Sequence, residues 1–146
     1  MIGIVQGRLT DFKNKKILQK FPKNYIKEFQ IASNLGFNFI EIFTEKKFNK
    51  RNPLWLEEGK KNYTQISKKH KLKLVSLIDE FSINNNITKK TYINYFEKLI
   101  GSLNQLKIKK LIIPLYKKSL VNKKNYQVFA KYLSIMANKC LKNRIK

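Results

Sequence analysis

The sequence predicts an α/β fold built around a parallel β-sheet. Short apolar runs alternate four times with segments whose apolar residues recur at helical spacing, in a repeat of about 35 residues. The runs are apolar throughout, which is typical of strands in a parallel sheet. Right-handed crossovers join such strands. The 146 residues fit a single domain with a substantial core.

The first predicted strand lies within Met1–Thr10 (MIGIVQGRLT) and ends in a polar tip, Gln6-Gly7-Arg8. Glycine allows a ligand to approach the backbone closely, and an arginine guanidinium offers a planar fork for a carboxylate or phosphate. Gln6 and Arg8 are therefore candidate substrate-binding residues. The alternative, given equal weight, is a plain strand-to-loop turn with a solvated arginine.

Residues 13–23 are predicted to form a lysine-rich connection, whose length is typical of a functional loop or a lid. A helix is predicted over about 24–35, with Gly36 placed to end it. The next predicted strand, Phe37–Phe43, carries Glu41 within an apolar run. Because a buried carboxylate without a partner is costly, Glu41 is expected to face either a polar pocket or solvent.

The second helix is predicted over about 52–70, with Asn52 as its N-cap and the following proline in the first turn. A strand over 72–78 follows and leads into Asp79 and Glu80. Adjacent strand residues point to opposite faces, so these two carboxylates compete for any one pocket.

The second half of the sequence continues the alternation. A loop is predicted at 84–86, and Thr88 is predicted to cap the helix with the clearest apolar stripe in the chain. The fourth strand is predicted over 110–115, where Pro114 suits only a strand end. The last helix is predicted over about 123–142.

Polar residues gather where the predicted strands end, which is the edge where parallel α/β folds place their sites. The carboxylates of Glu41 and Asp79 are candidate general bases there, since burial or a neighbouring like charge moves the pKa of a carboxyl group towards neutrality. The favoured alternative is that both carboxylates simply line a pocket or are solvated. No glycine-rich phosphate loop follows any strand, which weakens a nucleotide-binding interpretation. The candidate catalytic residues are Glu41 and Asp79, and the candidate substrate-binding residues are Gln6, Arg8 and Tyr116.

The formal charge of +23 is the most unusual feature of the composition, and only three of the 32 basic residues are arginine. Nucleic-acid-binding surfaces usually cluster arginine on one element. Here lysine is spread along the chain beside abundant isoleucine and asparagine, as A/T-rich codons produce. We attribute much of the charge to this composition and expect nonspecific, salt-sensitive binding to nucleic acid. A functional polyanion-binding surface is the alternative.

Other function classes are excluded by simple counts. A single cysteine, Cys140, excludes an internal disulfide and a cysteine-based zinc site. No apolar run approaches the roughly 20 residues that span a bilayer, and the N-terminus lacks a signal-peptide pattern. We therefore expect a cytoplasmic protein that has no membrane partner.

Several segments resemble the sugar phosphate isomerase/epimerase family. They are GIVQGRLT, FPKNYIKEF with IASNLGFNFIEI, NPLW and VSLIDEF, of which QGR and NPLW are the more specific pieces. The resemblance implies a xylose isomerase-like TIM barrel that works with a divalent metal. It further implies an isomerase or epimerase that moves a proton beside the carbonyl of a sugar or sugar phosphate. The same set of proteins includes a branch of DNA-repair AP endonucleases.

A complete barrel of this kind needs eight βα units and about 250 residues, whereas four units are present. The resemblance therefore implies a partial (β/α)8 barrel, with residues 1–146 forming one domain that corresponds to the N-terminal half. In the family, the metal-binding carboxylates and histidine come largely from later strands. We therefore expect no metal in this fragment, and weak or no activity when it is alone.

Four parallel strands leave two open edges and an uncovered inner face. Such a sheet is expected to self-associate or to assemble with a C-terminal half-barrel partner. A genuine half-barrel, a truncated reading frame and one part of a split enzyme all fit the sequence. The alternative function is an AP-endonuclease-like nucleic-acid-binding module.

Overall fold

The computed structural model describes residues 1–10 and 21–146. Most of the connection predicted over 13–23 lies outside these residues. The described residues form four strands, namely β1 (Gly3–Val5), β2 (Phe39–Thr44), β3 (Lys73–Asp79) and β4 (Lys110–Ile112). They also form five α-helices, namely α1 (Tyr25–Asn34), α2 (Glu57–Lys69), α3 (Phe81–Asn84), α4 (Lys90–Gln105) and α5 (Tyr126–Lys142). Short 3-10 turns cover Pro53–Trp55 and Lys117–Ser119.

The four strands form one parallel sheet in the order β1-β2-β3-β4. When sequential neighbours pair through right-handed crossovers, every connecting helix lies on the same side of the sheet. A doubly wound sheet instead reverses its strand order and carries helices on both sides. The sheet is therefore a section of barrel wall, and the predicted α/β class with parallel strands is confirmed.

The face of the sheet towards the helices carries the core. Side chains alternate along a strand, so Ile40 and Ile42 of β2 point to this face, as does Leu77 of β3. All three are almost completely buried. They belong to one apolar cluster with residues of the four long helices, among them Phe29, Tyr63, Phe96, Leu99, Phe129 and Met136. Burial against these helices fixes which side of each strand faces inward.

The opposite, inner face of the sheet is only partly covered. Ile78 of β3 and Ile112 of β4 are register partners there, and Ile112 is 45% exposed. The outer edge of β4 takes up the backbone of Lys146. Its N–H donates to the Lys109 carbonyl and its carbonyl accepts from the Leu111 N–H, both at 2.8 Å. Ile112 therefore leaves apolar surface exposed on the inner face.

Gly36 and Asn52 lie where the sequence predicts the end of one helix and the start of the next. Gly36 has φ of +79°, a conformation that glycine adopts without strain, and it follows α1 as predicted. Asn52 acts as a cap, but for the 3-10 turn over 53–55, where its side chain accepts from the Leu54 N–H at 3.0 Å. Leu56 is extended between this turn and α2, so the long helix begins only at Glu57.

The predicted start of the next long helix is shifted in the same way. Thr88 donates its hydroxyl to the Asn86 side chain, and α4 begins at Lys90 without a side-chain cap. The short helix α3 lies partly within the predicted loop, and β4 ends two residues before Pro114. Among the helices of the described residues, none is long and apolar enough to cross a membrane.

Alanine substitution is expected to have opposite effects on stability at two helical glycines, Gly59 and Gly101. A Cβ added at Gly59 would lie 2.3 Å from the Pro53 carbonyl oxygen, whereas one at Gly101 would meet nothing within 4 Å. Gly59→Ala is expected to destabilise the protein by about 1–3 kcal/mol, because backbone would have to move. Gly101→Ala is expected to stabilise it by about 0.5–1 kcal/mol through helix propensity. Urea denaturation of both variants tests this, and equal effects would contradict it.

Candidate active site at the carboxyl ends of the strands

The loop after β1 is held by a buried carboxylate. Gly7 has φ of +85°, which turns the chain at the strand end. The backbone N–H groups of Gly7 and Leu9 donate to the two carboxylate oxygens of Glu28, at 2.7 and 2.9 Å. Glu28 itself is 0% exposed. These two hydrogen bonds hold the loop in place. The side chain of Arg8, which lies between the two donor residues, is exposed.

Glu28 is a residue that the sequence interpretation missed. Burial raises the pKa of its carboxyl group, and backbone N–H donors in the loop oppose that shift by stabilising the charged form. A signal was present, because Glu28 lies three residues after Tyr25 and four before Ala32, on the apolar face of α1. An acidic residue in that position needs a buried partner.

Gln6 points from the end of β1 towards the helices. Its backbone N–H donates to the Glu41 carbonyl at 2.8 Å, and its side-chain oxygen accepts from the Tyr63 hydroxyl at 3.2 Å. Gln6 is 0% exposed, and within the described part of the chain its side-chain nitrogen has no hydrogen-bond partner. Its predicted role in substrate binding stays a prediction.

Glu41 lies on the inner face of the sheet. It is the register partner of Val5 and is partly exposed. The Ser76 hydroxyl of β3 donates to its carboxylate, which orients the group. Of the two candidate bases, Glu41 is the one that a ligand can reach, because it is partly exposed on the inner face of the open sheet.

Asp79 lies on the opposite, helix-facing side at the end of β3. The hydroxyls of Thr44 and Tyr95 donate to one carboxylate oxygen, each at 2.7 Å, and the Tyr92 hydroxyl donates to the other. Burial raises the pKa of Asp79, and these hydrogen bonds oppose the shift. The structure therefore does not bring Asp79 and Glu41 together as facing carboxylates. A catalytic role for Asp79 stays a prediction, and we base no chemical step on it.

Glu80, the residue after Asp79, lies directly beyond the carboxyl end of β3. It is partly exposed, and burial raises its pKa while the positive charges of Lys46 and Arg8 oppose the shift. The loops after β1, β2 and β3 therefore converge on a mixed-charge patch. Such a patch can position an anionic group through the arginine while a carboxylate stays close to a sugar hydroxyl.

Tyr116 follows β4 and is 58% exposed, with the Lys117 ammonium 5.7 Å from its ring centre. Its predicted substrate contact stays a prediction. No three His, Cys, Asp or Glu side chains come close enough to hold a metal ion anywhere in residues 1–10 and 21–146. The donor set of this part of the chain therefore does not fit a divalent metal.

No protein-family model and no curated protein matches the sequence. Solved structures do match the fold. One is a D-psicose 3-epimerase with D-tagatose from Clostridium cellulolyticum H10, at TM-score 0.70 and 12% identity over 99% of this chain and 50% of that one. A xylose isomerase domain protein from Planctomyces limnophilus matches at TM-score 0.63 and 6% identity, over 98% and 48%. A sugar phosphate isomerase/epimerase from Parabacteroides distasonis matches at 0.64 and 14%, over 99% and 48%.

The fold is half of a TIM barrel. The match over nearly the whole chain confirms the predicted fold and the resemblance stated from the sequence, with the N-terminal half as the matching part. This half-barrel spans about half the length of the structures that it matches. The polar residues at its strand ends lie on the face where TIM barrels carry their active sites.

Proposed function

We propose that the half-barrel is part of an enzyme that isomerises or epimerises a sugar or sugar phosphate. The observation that carries the proposal is the position of Glu41, a reachable carboxylate on the inner face of a fold shared with sugar isomerases and epimerases. In isomerisation a base removes the proton from the carbon beside the carbonyl and returns it to the adjacent carbonyl carbon, whereas in epimerisation a second acid on the opposite face supplies the new proton.

Each residue at the tips has a role in this proposal. Glu41 takes up and returns the proton, and Ser76 holds its carboxylate in one orientation. Arg8 binds a phosphate or another anionic group of the substrate, as a guanidinium fork does. Glu28 positions the loop that carries Arg8. A divalent metal would supply polarisation of the carbonyl, but since the described donors do not fit one, no step is routed through it.

The proposal includes a partner for the open sheet. The exposed apolar residue Ile112 on the inner face and the edge strand β1 are surfaces that a closed barrel buries. A second half-barrel, either another copy or a separate C-terminal half, would cover them and supply the remaining strand ends. Weak or no activity of the isolated monomer follows from this.

The test combines sedimentation with an assay. Purified protein is separated by oligomeric state, and each fraction is assayed for sugar binding, for aldose–ketose conversion and for epimerisation, with and without divalent metal. The sugars include D-psicose and D-tagatose. We expect sugar binding, with turnover confined to assembled fractions. Robust turnover by the monomer would contradict the need for a partner, and absence of both binding and turnover would contradict the sugar assignment.

Glu41→Gln tests the assigned base in the active fraction. Removing a positioned general base is expected to lower kcat by roughly 100-fold or more while leaving sugar binding within a few-fold. Glu58→Gln is the matched control, because Glu58 is an exposed glutamate on α2, outside the sheet. An unchanged kcat in Glu41→Gln would remove Glu41 from the mechanism.

No observation favours the alternative of an AP-endonuclease-like module. That interpretation predicts a contiguous basic surface concentrated around the strand tips. Basic residues do occur there, for example Arg8, Lys46 and Lys117, but Glu80 interrupts them. Lysines also occur at the other end of the sheet, for example Lys68, Lys73 and Lys110.

A further inference from the structure

A concavity lined by lysines lies at the amino ends of β3 and β4, opposite the candidate active site. Its volume is about 450 Å³, and it lies between the end of α2, the start of β3 and the connection from α4 to β4. Its floor is formed by apolar residues such as Leu74 and Val75. Its lysines are Lys68, Lys73, Lys107, Lys109 and Lys110.

Two separate basic segments meet here because of the strand pairing. The segment KKHKLK covers residues 68–73, and KIKK covers 107–110. Parallel pairing of Ser76 with Lys110 places the start of β4 beside β3, three residues along the strand from Lys73. The fold therefore brings together charge from two segments that are far apart in the sequence.

The lysines of this concavity lack acidic neighbours. No Asp or Glu lines it, and within the described residues none of its five lysines takes part in an ion pair. The carboxyl end of α2 favours Lys68 through the helix dipole. Lys73 and Lys110 begin strands and have no such helix end of their own.

We propose that this concavity binds an anion that carries several closely spaced phosphate groups. Each ammonium group offers three hydrogen-bond donors, and an apolar floor concentrates the field of a cleft lined by one sign of charge. The hydroxyls of Thr64 and Ser67 donate to backbone carbonyls, so the ammonium groups are the free side-chain donors. Among residues 1–10 and 21–146, no aromatic ring lines the concavity, so these residues provide no platform for base stacking. This site is independent of the proposed sugar chemistry.

The test is titration with tripolyphosphate at about 150 mM salt, where surface charges are screened. The triple variant Lys73→Gln, Lys107→Gln, Lys110→Gln is expected to bind roughly ten-fold more weakly or worse, because three phosphate contacts are lost. The control variant Lys123→Gln, Lys124→Gln, Lys131→Gln removes the same charge from exposed positions near the start of α5 and is expected to change affinity less than about two-fold. Thermal unfolding verifies that both variants fold.

Equal weakening in the two variants would overturn the proposal, because it would indicate general charge attraction only. Failure of the unmodified protein to bind tripolyphosphate would overturn it as well. Single-stranded DNA and inorganic phosphate serve as comparison ligands. The unmodified protein could also bind DNA but not tripolyphosphate, and the triple variant could lose that DNA binding. This result would show a surface for the extended backbone of a nucleic acid in place of a site for a multi-phosphate anion. Weaker binding of single phosphate than of tripolyphosphate supports the proposal.

Discussion

Replacing Asp79 with alanine is expected to lower the free energy of unfolding by about 3–5 kcal/mol, the range for removing one partner from a buried charged network. The carboxylate is 0% exposed and accepts hydrogen bonds from Thr44, Tyr92 and Tyr95. In the alanine variant, these three hydroxyls lose their acceptor where water does not reach them. Urea denaturation followed by circular dichroism measures the loss.

Two milder variants serve as controls for this expectation. Tyr92→Phe and Tyr95→Phe each remove one donor but leave the carboxylate with two hydroxyl partners. Each is expected to cost about 1–2 kcal/mol, because no buried group is left wholly unpaired. An Asp79→Ala variant that loses no more than either phenylalanine variant would show that the network contributes little.

The contribution of Asp79 to the stability of the protein is expected to fall as pH rises. Burial raises the pKa of Asp79 above its ordinary value of 3.8, so the folded protein holds this proton more tightly than the unfolded chain. As pH rises above that value, the unfolded state binds fewer protons, and stability falls. Asp79→Asn lacks this titration. The stability of the native protein relative to Asp79→Asn is therefore expected to decline from about pH 4 upward, until the folded state has also lost its proton. A constant difference across that range would contradict the raised pKa.

The order of elements was predictable because it depends on local periodicity. Four apolar runs and four helical stripes each carry their own signal, and sequential parallel pairing follows from right-handed crossovers. Helix starts were less predictable. Asn52 and Asn86 are used by short turns before the helices, so a cap residue marks the turn and not the first residue of the long helix.

The site was predictable in position but not in its contacts. The polar tip at Gln6 and Arg8 lies at the carboxyl end of β1, as the pattern indicates. The faces of Glu41 and Asp79 depend on the strand ends and on a register irregularity between Ile40 and Ile42. That irregularity arises from pairing between distant segments, which no local pattern encodes. Glu28 was missed because its donors lie about twenty residues earlier.

Glu28→Ala is expected to release the loop after β1 and to lower the free energy of unfolding by about 2–4 kcal/mol, because two partly buried backbone donors lose their acceptor. Glu28→Gln is expected to cost less, about 1–3 kcal/mol, since the amide retains a single oxygen acceptor. Amide hydrogen exchange locates the effect. The amides of Gly7 and Leu9 are expected to lose protection, whereas that of Gln6 keeps its bond to the Glu41 carbonyl.

Amide hydrogen exchange and sugar affinity together distinguish a loop that Glu28 holds locally from a general loss of stability. If Glu28 only supported the core, exchange would rise at Gln6 as much as at Gly7, and Arg8 would keep its effect on ligand binding. If Glu28 holds the loop, sugar affinity is expected to fall in Glu28→Gln at temperatures where the variant is still folded. Adding Arg8→Ala would then weaken binding little further, because a loop that is already released no longer presents the guanidinium. This coupling follows from the position of Arg8 between the two clamped amides, with its side chain exposed.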